Sequence, residues 1–167
     1  MARSCTLKGN PLSLEGPELK VGDAAPDATL CKSLVDTIKI SDGQGKTRIF
    51  SVVPSLDTPI CSQQTKRFNE EAAKLKGSAV LCVSRDLPFA HKRFCSAENI
   101  ENVQGVSDFR GPSFGADYGV TIKDGPIADL FSRAIVVIDG RGKVTYTNQV
   151  AEIADEPDYA AALAAVS

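Results

Sequence analysis

The sequence predicts an α/β fold with a central mixed sheet and helices on both faces. Two observations carry this reading. The apolar run Arg48–Val53, a helix-patterned stretch and a second apolar run at Ala79–Val83 form a strand–helix–strand unit. Such a unit implies a parallel pair with a right-handed crossover. Much later, Ala134–Ile138 (AIVVI) reads as a buried strand. The turn Asp139-Gly140-Arg141-Gly142 joins it to a strand at Lys143–Thr147 as a hairpin, which is antiparallel.

Taken in order, Thr6–Leu14 reads as a hairpin turning at Gly9-Asn10-Pro11. Residues 15–26 carry Gly16, Pro17, Gly22 and Pro26 and read as loop. Short strands follow near Ala28–Cys31 and Thr37–Ile40, before the turn signal Ser41-Asp42-Gly43. A helix is expected from Pro59 to Lys76, closed by Gly77. Pro88 is a favoured first helical residue and opens a shorter helix over Phe89–Ala97. Then come a strand at Val103–Ser107, a helix at Ser113–Tyr118 stopped by Gly119, and a last helix over Asp158–Val166.

The chain has 167 residues, 43% of them apolar and 24% charged. That suits one domain over residues 1–167 with a real core. A net charge of −2 provides no basic field for nucleic acid. No apolar run approaches the roughly 20 residues of a membrane helix. The opening MARSCTLKGNPLSL lacks a signal-peptide pattern, so a cytoplasmic location is expected.

There are five cysteines (Cys5, Cys31, Cys61, Cys82 and Cys95) and one histidine, His91. The odd count argues against a secreted disulfide scaffold, and without a CxxC pair a structural zinc site is disfavoured. Cys82 alternates with Leu81 and Val83 and reads as core. Cys31 reads as a partly buried strand residue and Cys5 as incidental. His91, beside Lys92 and Arg93, is expected on a solvated face. Phe89 and Phe94 are expected to anchor the helix of Cys95, and Phe50 and Phe68 to be core.

Cys61 differs by position. Thr58 is a good N-cap and Pro59 a good first residue, which makes Cys61 the third residue of the helix. Backbone N–H groups there lack helical partners and the helix dipole is positive, so a thiolate is stabilised. Cys61, Thr65, Phe68, Ala72 and Leu75 share one helical face, which turns Cys61 inward. That places it at the carboxyl end of a parallel strand, where open α/β sheets bind ligands. Asp57 would oppose a thiolate if it pointed inward and is expected to face solvent. Arg133, just before Ala134–Ile138, is the candidate cation. By position alone, Cys61 reads equally as an activated nucleophile or as a small buried residue.

The string Pro54-Ser55-Leu56-Asp57-Thr58-Pro59-Ile60-Cys61 resembles the peroxiredoxin active-site pattern, and with Arg67-Phe68 it is similar to the bacterial thiol peroxidase branch, the atypical two-cysteine peroxiredoxins. So are Asp86-Leu87-Pro88-Phe89-Ala90, Arg93-Phe94-Cys95, Tyr118-Gly119-Val120, Asp124-Gly125-Pro126, Arg133-Ala134 and Glu156-Pro157-Asp158-Tyr159. The resemblance implies a thioredoxin-like fold with an added N-terminal hairpin. It implies that Cys61 is the peroxidatic cysteine and Cys95 the resolving one, joined as a redox disulfide. Thr58 would hydrogen-bond the peroxide and the thiolate, Pro54 would shield the site and Arg133 would stabilise the thiolate. It further implies hydrogen peroxide and alkyl hydroperoxides as substrates, thioredoxin as reductant, a homodimer, and no metal, haem or flavin. The competing readings are a general disulfide oxidoreductase, a thiol-based sensor and a non-catalytic binding module. Both cysteines are expected to begin on helices, so disulfide formation requires one helix to unwind locally.

Overall fold

Runs of β-branched and apolar residues become the strands, and the proline-opened stretches become the helices. The computed structural model describes residues 3–43, 45–111 and 113–166. Its strands are β1 (Arg3–Leu7), β2 (Asn10–Glu15), β3 (Thr29–Cys31), β4 (Thr37–Lys39), β5 (Thr47–Val52), β6 (Ser78–Ser84), β7 (Val103–Ser107), β8 (Thr121–Ile122), β9 (Ala134–Ile138) and β10 (Val144–Gln149). Its helices are α1 (Pro59–Ala72), α2 (Pro88–Ala97), α3 (Ser113–Asp117) and α4 (Tyr159–Ala164), with a 3₁₀ turn at Ile40–Gly43.

The main sheet runs β10-β9-β5-β6-β7-β3-β4. β5, β6 and β7 are parallel neighbours, whereas β9 pairs antiparallel with β5. The mixed sheet expected from the sequence is therefore the observed one. On one face Ile49, Val80, Cys82, Ile135 and Val137 pack with Cys61 and Phe68 of α1, Phe94 of α2 and Ala162 of α4. On the other face Phe50, Val52, Leu81, Val83 and Val136 pack with Phe114 of α3 and with Tyr118. Period-two alternation in the strands sorts these residues to the two faces.

Several local expectations are corrected. The hairpin turns at Lys8-Gly9, both with positive φ (51° and 81°), not at Gly9-Asn10-Pro11. Two positive φ angles match the right-handed twist of a two-residue hairpin, and glycine adopts one freely. α1 ends at Ala72, four residues before the expected Lys76. β8 was not expected; two residues are too short for a periodic signal, and pairing with Leu14 and Glu15 of β2 forms it. Phe94 is buried as expected, but Phe89 is 62% exposed and anchors nothing. Cys5 is buried at 3% exposure, in a small cluster with Leu12, Leu14 and Ile122.

Candidate active site

The loop leaving β5 carries Pro54 to Thr58 directly into α1. Thr58 has an extended backbone (φ −99°, ψ 146°) and Pro59 is the first helical residue, as the sequence predicts. The cap itself differs: the Thr58 side chain accepts no hydrogen bond from the first turn. Its hydroxyl instead donates to the Ser55 carbonyl oxygen at 3.0 Å. The helix start is held by proline geometry and by Ser62 N–H donating to the Thr58 carbonyl at 3.0 Å.

Cys61, Gln64, Thr65 and Phe68 form the buried face of α1. Cys61 is 0% exposed. Sheet register brings its cation to it. Val52, at the end of β5, pairs with Ala134, the first residue of β9. Arg133 therefore emerges beside the loop that leads to Cys61, although 72 positions separate the two residues. Arg133 is 2% exposed and each guanidinium nitrogen has a partner. Nε donates to the Ile153 carbonyl at 2.8 Å, Nη1 to Gln64 Oε1 at 2.8 Å and Nη2 to Cys61 Sγ at 3.4 Å. A planar fork with fixed donors suits this three-way arrangement, and a lysine would not reproduce it. Gln64 completes the set by donating to Ser51 Oγ at 2.7 Å.

Gln64 was missed in the sequence. Its place three positions after Cys61 on the inward helical face is the signal that could have found it. Asp57 is exposed and pairs with Arg93 on α2 at 3.1 Å, so it does face solvent.

Pro54, Thr58 and Arg133 line one cavity of about 420 Å³. Leu7, Ile127, Leu130 and Ile153 are among its other lining residues, and the wall is largely apolar. The hairpin contributes Leu7 because Glu152 holds the β1–β2 turn in place. The Glu152 carboxylate accepts from Thr6 Oγ1 at 2.7 Å, Lys8 N at 2.9 Å and Gly9 N at 3.0 Å. These hydrogen bonds, that from Thr6 first, lower its carboxyl pKa to about 2. No local pattern announces this residue, since its partners lie more than 140 positions away.

Cys95 is half-buried on α2 and packs against the apolar cluster that contains Cys61. Burial raises its thiol pKa. It also lines a second cavity, of about 320 Å³, with Lys32, His91, Lys92 and Glu101. Both cysteines are free thiols. Cys82 is core, as expected; burial pushes its thiol up to about 12, which makes it a poor competitor for disulfide exchange. Among the described residues no cluster of His, Cys, Asp and Glu could hold a metal ion.

His91 corrects the sequence reading. It is 3% exposed rather than solvated. Its Nε2 lies 2.9 Å from Ser84 Oγ, and burial lowers its pKa to about 4, so it is neutral. Charged neighbours in sequence do not make a surface residue when the helix turns it toward β7. A Cβ added at Gly105 of β7 would lie 2.6 Å from His91 Nδ1, so only glycine leaves room for the ring.

Comparison with known proteins places the chain in a family. The Redoxin family profile matches residues 20–163. A thiol peroxidase of Mycobacterium tuberculosis is 52% identical over 161 residues, covering 96% of each chain. A thiol peroxidase of Halalkalibacterium halodurans is 47% identical over 162 residues, covering 97% of this chain and 96% of the relative. The crystal structure of a peroxiredoxin-like protein from Aquifex aeolicus superposes with a TM-score of 0.93 at 45% identity, over 99% of this chain and 96% of that one. An inward cysteine held by a buried arginine at a helix start thus sits in a chain that belongs to the redoxin family and to its thiol peroxidase branch, the atypical two-cysteine peroxiredoxins, and the chain is a peroxidase.

Proposed function

We propose that Cys61 reduces hydrogen peroxide and alkyl hydroperoxides, and that Cys95 resolves the oxidised cysteine. The observation that carries this reading is the Arg133 Nη2 contact to the Sγ of a fully buried Cys61 at 3.4 Å, beneath an apolar cavity. A cation beside a helix-start cysteine favours the thiolate, which is the nucleophile. The thiolate attacks the O–O bond, taking one oxygen as a sulfenic acid and releasing water or an alcohol once that leaving oxygen is protonated. The Cys95 thiol then condenses with the sulfenic acid, forming the S–S bond and expelling water. Two electrons from an external dithiol restore both thiols.

Thr58 supports binding of the substrate. Its proton is occupied by the Ser55 carbonyl, so its oxygen presents lone pairs to a hydroperoxide O–H. Pro54 is buried beside it and keeps water from the mouth. The apolar wall favours an alkyl group on the peroxide.

The reductant in this reading is thioredoxin, the active unit one domain over 1–167 assembled as a homodimer, and the location the cytoplasm. Among the described residues no helix is long and apolar enough to cross a membrane. Because both cysteines sit on helices, the first turn of α1 or part of α2 unwinds in each cycle.

One equivalent of peroxide followed by alkylation and mass spectrometry tests the assignment. The expected product is a Cys61–Cys95 disulfide; a Cys61–Cys82 link would overturn it. Cys61→Ser should abolish peroxide reduction. Cys95→Ser should preserve the first oxidation and stop turnover with thioredoxin.

A further inference from the structure

Asp86 has no part in the chemistry above, yet it makes an unusual set of contacts. It sits in the turn between β6, which ends at Ser84, and α2, which begins at Pro88. Its carboxylate accepts from Ser55 Oγ at 2.8 Å, from Leu56 N at 2.9 Å and from Ser84 Oγ at 2.7 Å. Two of those donors belong to the loop that leads into Cys61.

The Ser84 hydroxyl fixes the direction of the chain. Its single proton goes to the carboxylate, which can only accept. Ser84 Oγ also accepts from Asp86 N at 3.1 Å, and the remaining neighbour, His91 Nε2 at 2.9 Å, must therefore donate to it. His91 is thus the Nε2–H tautomer, and its buried Nδ1 has no hydrogen-bond partner among the described residues. Serine, histidine and aspartate side by side suggest a hydrolytic triad, but the order is wrong for one. A nucleophilic serine donates to histidine, which in turn donates to aspartate. Here histidine donates to serine and serine to aspartate, and Ser84 is 0% exposed. The set is structural wiring.

What it wires together is the Cys61 loop, through Ser55 and Leu56, and the helix of Cys95, through His91 one turn before that cysteine. Resting on the resolving role proposed for Cys95, we propose that Asp86, with Ser84 and His91, is a positioning clasp that holds the Cys61 loop and α2 in the dithiol arrangement and must release for the Cys61–Cys95 disulfide to form. The clasp stabilises the dithiol form and not the disulfide form. It therefore raises the reduction potential of the pair and slows resolution relative to the first oxidation. A second tether, Asp57 to Arg93 at 3.1 Å, joins the same two segments. Both of its side chains are two-thirds exposed (67% each), so screening leaves it weak.

The test uses the full chain with Asp86→Asn, and with Ser55→Ala as a milder variant that leaves the carboxylate in place. The redox equilibrium of Cys61 and Cys95 is measured against a dithiol buffer by alkylation and mass spectrometry. Resolution is followed by acid quench, since the chain has no tryptophan to report it. Asp86→Asn is expected to favour the disulfide by about tenfold, a potential about 30 mV more negative. Ser55→Ala should favour it by about threefold, or about 14 mV. Both variants should resolve faster and over-oxidise less at high peroxide. A residue that merely holds the fold together would lower the melting temperature of both redox forms alike and leave the potential unmoved. An unmoved potential in both variants overturns the clasp. An equal shift in Arg93→Ala and Asp86→Asn overturns it too, because contact between the segments, rather than the partly buried carboxylate, would then be responsible. Failure of the wild-type chain to form a Cys61–Cys95 disulfide would instead sink the resolving assignment.

Discussion

Replacing Arg133 with lysine keeps the charge and removes the fork, which makes it the sharpest perturbation of the site. Arg133 is 2% exposed, and its guanidinium makes directed contacts to the Ile153 carbonyl, Gln64 Oε1 and Cys61 Sγ. A lysine ammonium has one nitrogen on a flexible stem and cannot serve three partners in three directions. A hydrogen bond to a charged partner contributes about 1.5–3 kcal/mol, and a buried acceptor left unpaired costs about 1–3 kcal/mol. If the contact to sulfur is lost, thiolate attack slows by roughly tenfold to a hundredfold at 1.36 kcal/mol per factor of ten. If one buried acceptor is orphaned, the melting temperature falls by roughly 2–10 °C. Single-turnover peroxide consumption, with thermal unfolding as the companion measurement, reads both effects. Iodoacetamide labelling of Cys61 should slow in parallel with peroxide reduction. A folded variant within twofold of wild type in both reactions would refute the idea that the fork, rather than the charge alone, activates Cys61.

Two further outcomes are expected. His91 is buried neutral, its pKa lowered from 6.5 to about 4. The unfolded chain therefore binds a proton below 6.5 that the folded chain refuses until about 4. Its contribution is complete above pH 6.5 and is lost as pH falls towards 4, on the order of 3 kcal/mol in total. Asp108, whose carboxyl burial raises from 3.8 to about 6, acts with the opposite sign, so the wild-type profile alone does not isolate the histidine. Urea unfolding of wild type and His91→Asn should give stabilities that converge as pH falls from 7 to 4.5; parallel curves would contradict the buried neutral ring. In the apolar cavity, Leu130→Ser should lower kcat/KM for tert-butyl hydroperoxide by about tenfold, and much less for hydrogen peroxide, which has no alkyl group to place there. Equal losses for both substrates would remove the cavity from substrate selection.

By itself the sequence determined much of what neighbours within about one helical turn or one strand set, although the exact hairpin turn and the end of α1 escaped it. The short apolar runs Arg48–Val53 and Ala79–Val83 marked β5 and β6, and the helix between them required a parallel pair. Thr58 and Pro59 started α1 where predicted, and 3–4 spacing turned Cys61, Thr65 and Phe68 inward. Arg133 was legible as the candidate cation, from its place before a strand and from the resemblance. Its contact with Cys61 was not, because that depends on β9 pairing with β5 so that Ala134 meets Val52. Only the tertiary structure decided the partners brought together by register and layer packing. Gln64 meets Arg133 across 69 positions, and Glu152 meets Thr6 across 146. His91 carried the charge pattern of a surface residue and was buried by the close approach of α2 to Gly105. Phe89, with the composition of an anchor, was left in solvent because the first turn of α2 points it away from the sheet. The apolar strand runs and the 3–4 spacing of the long helix α1 are local properties and can be read along the chain. Hydrogen-bond partners across a sheet cannot, because they exist only once strand order and register are set.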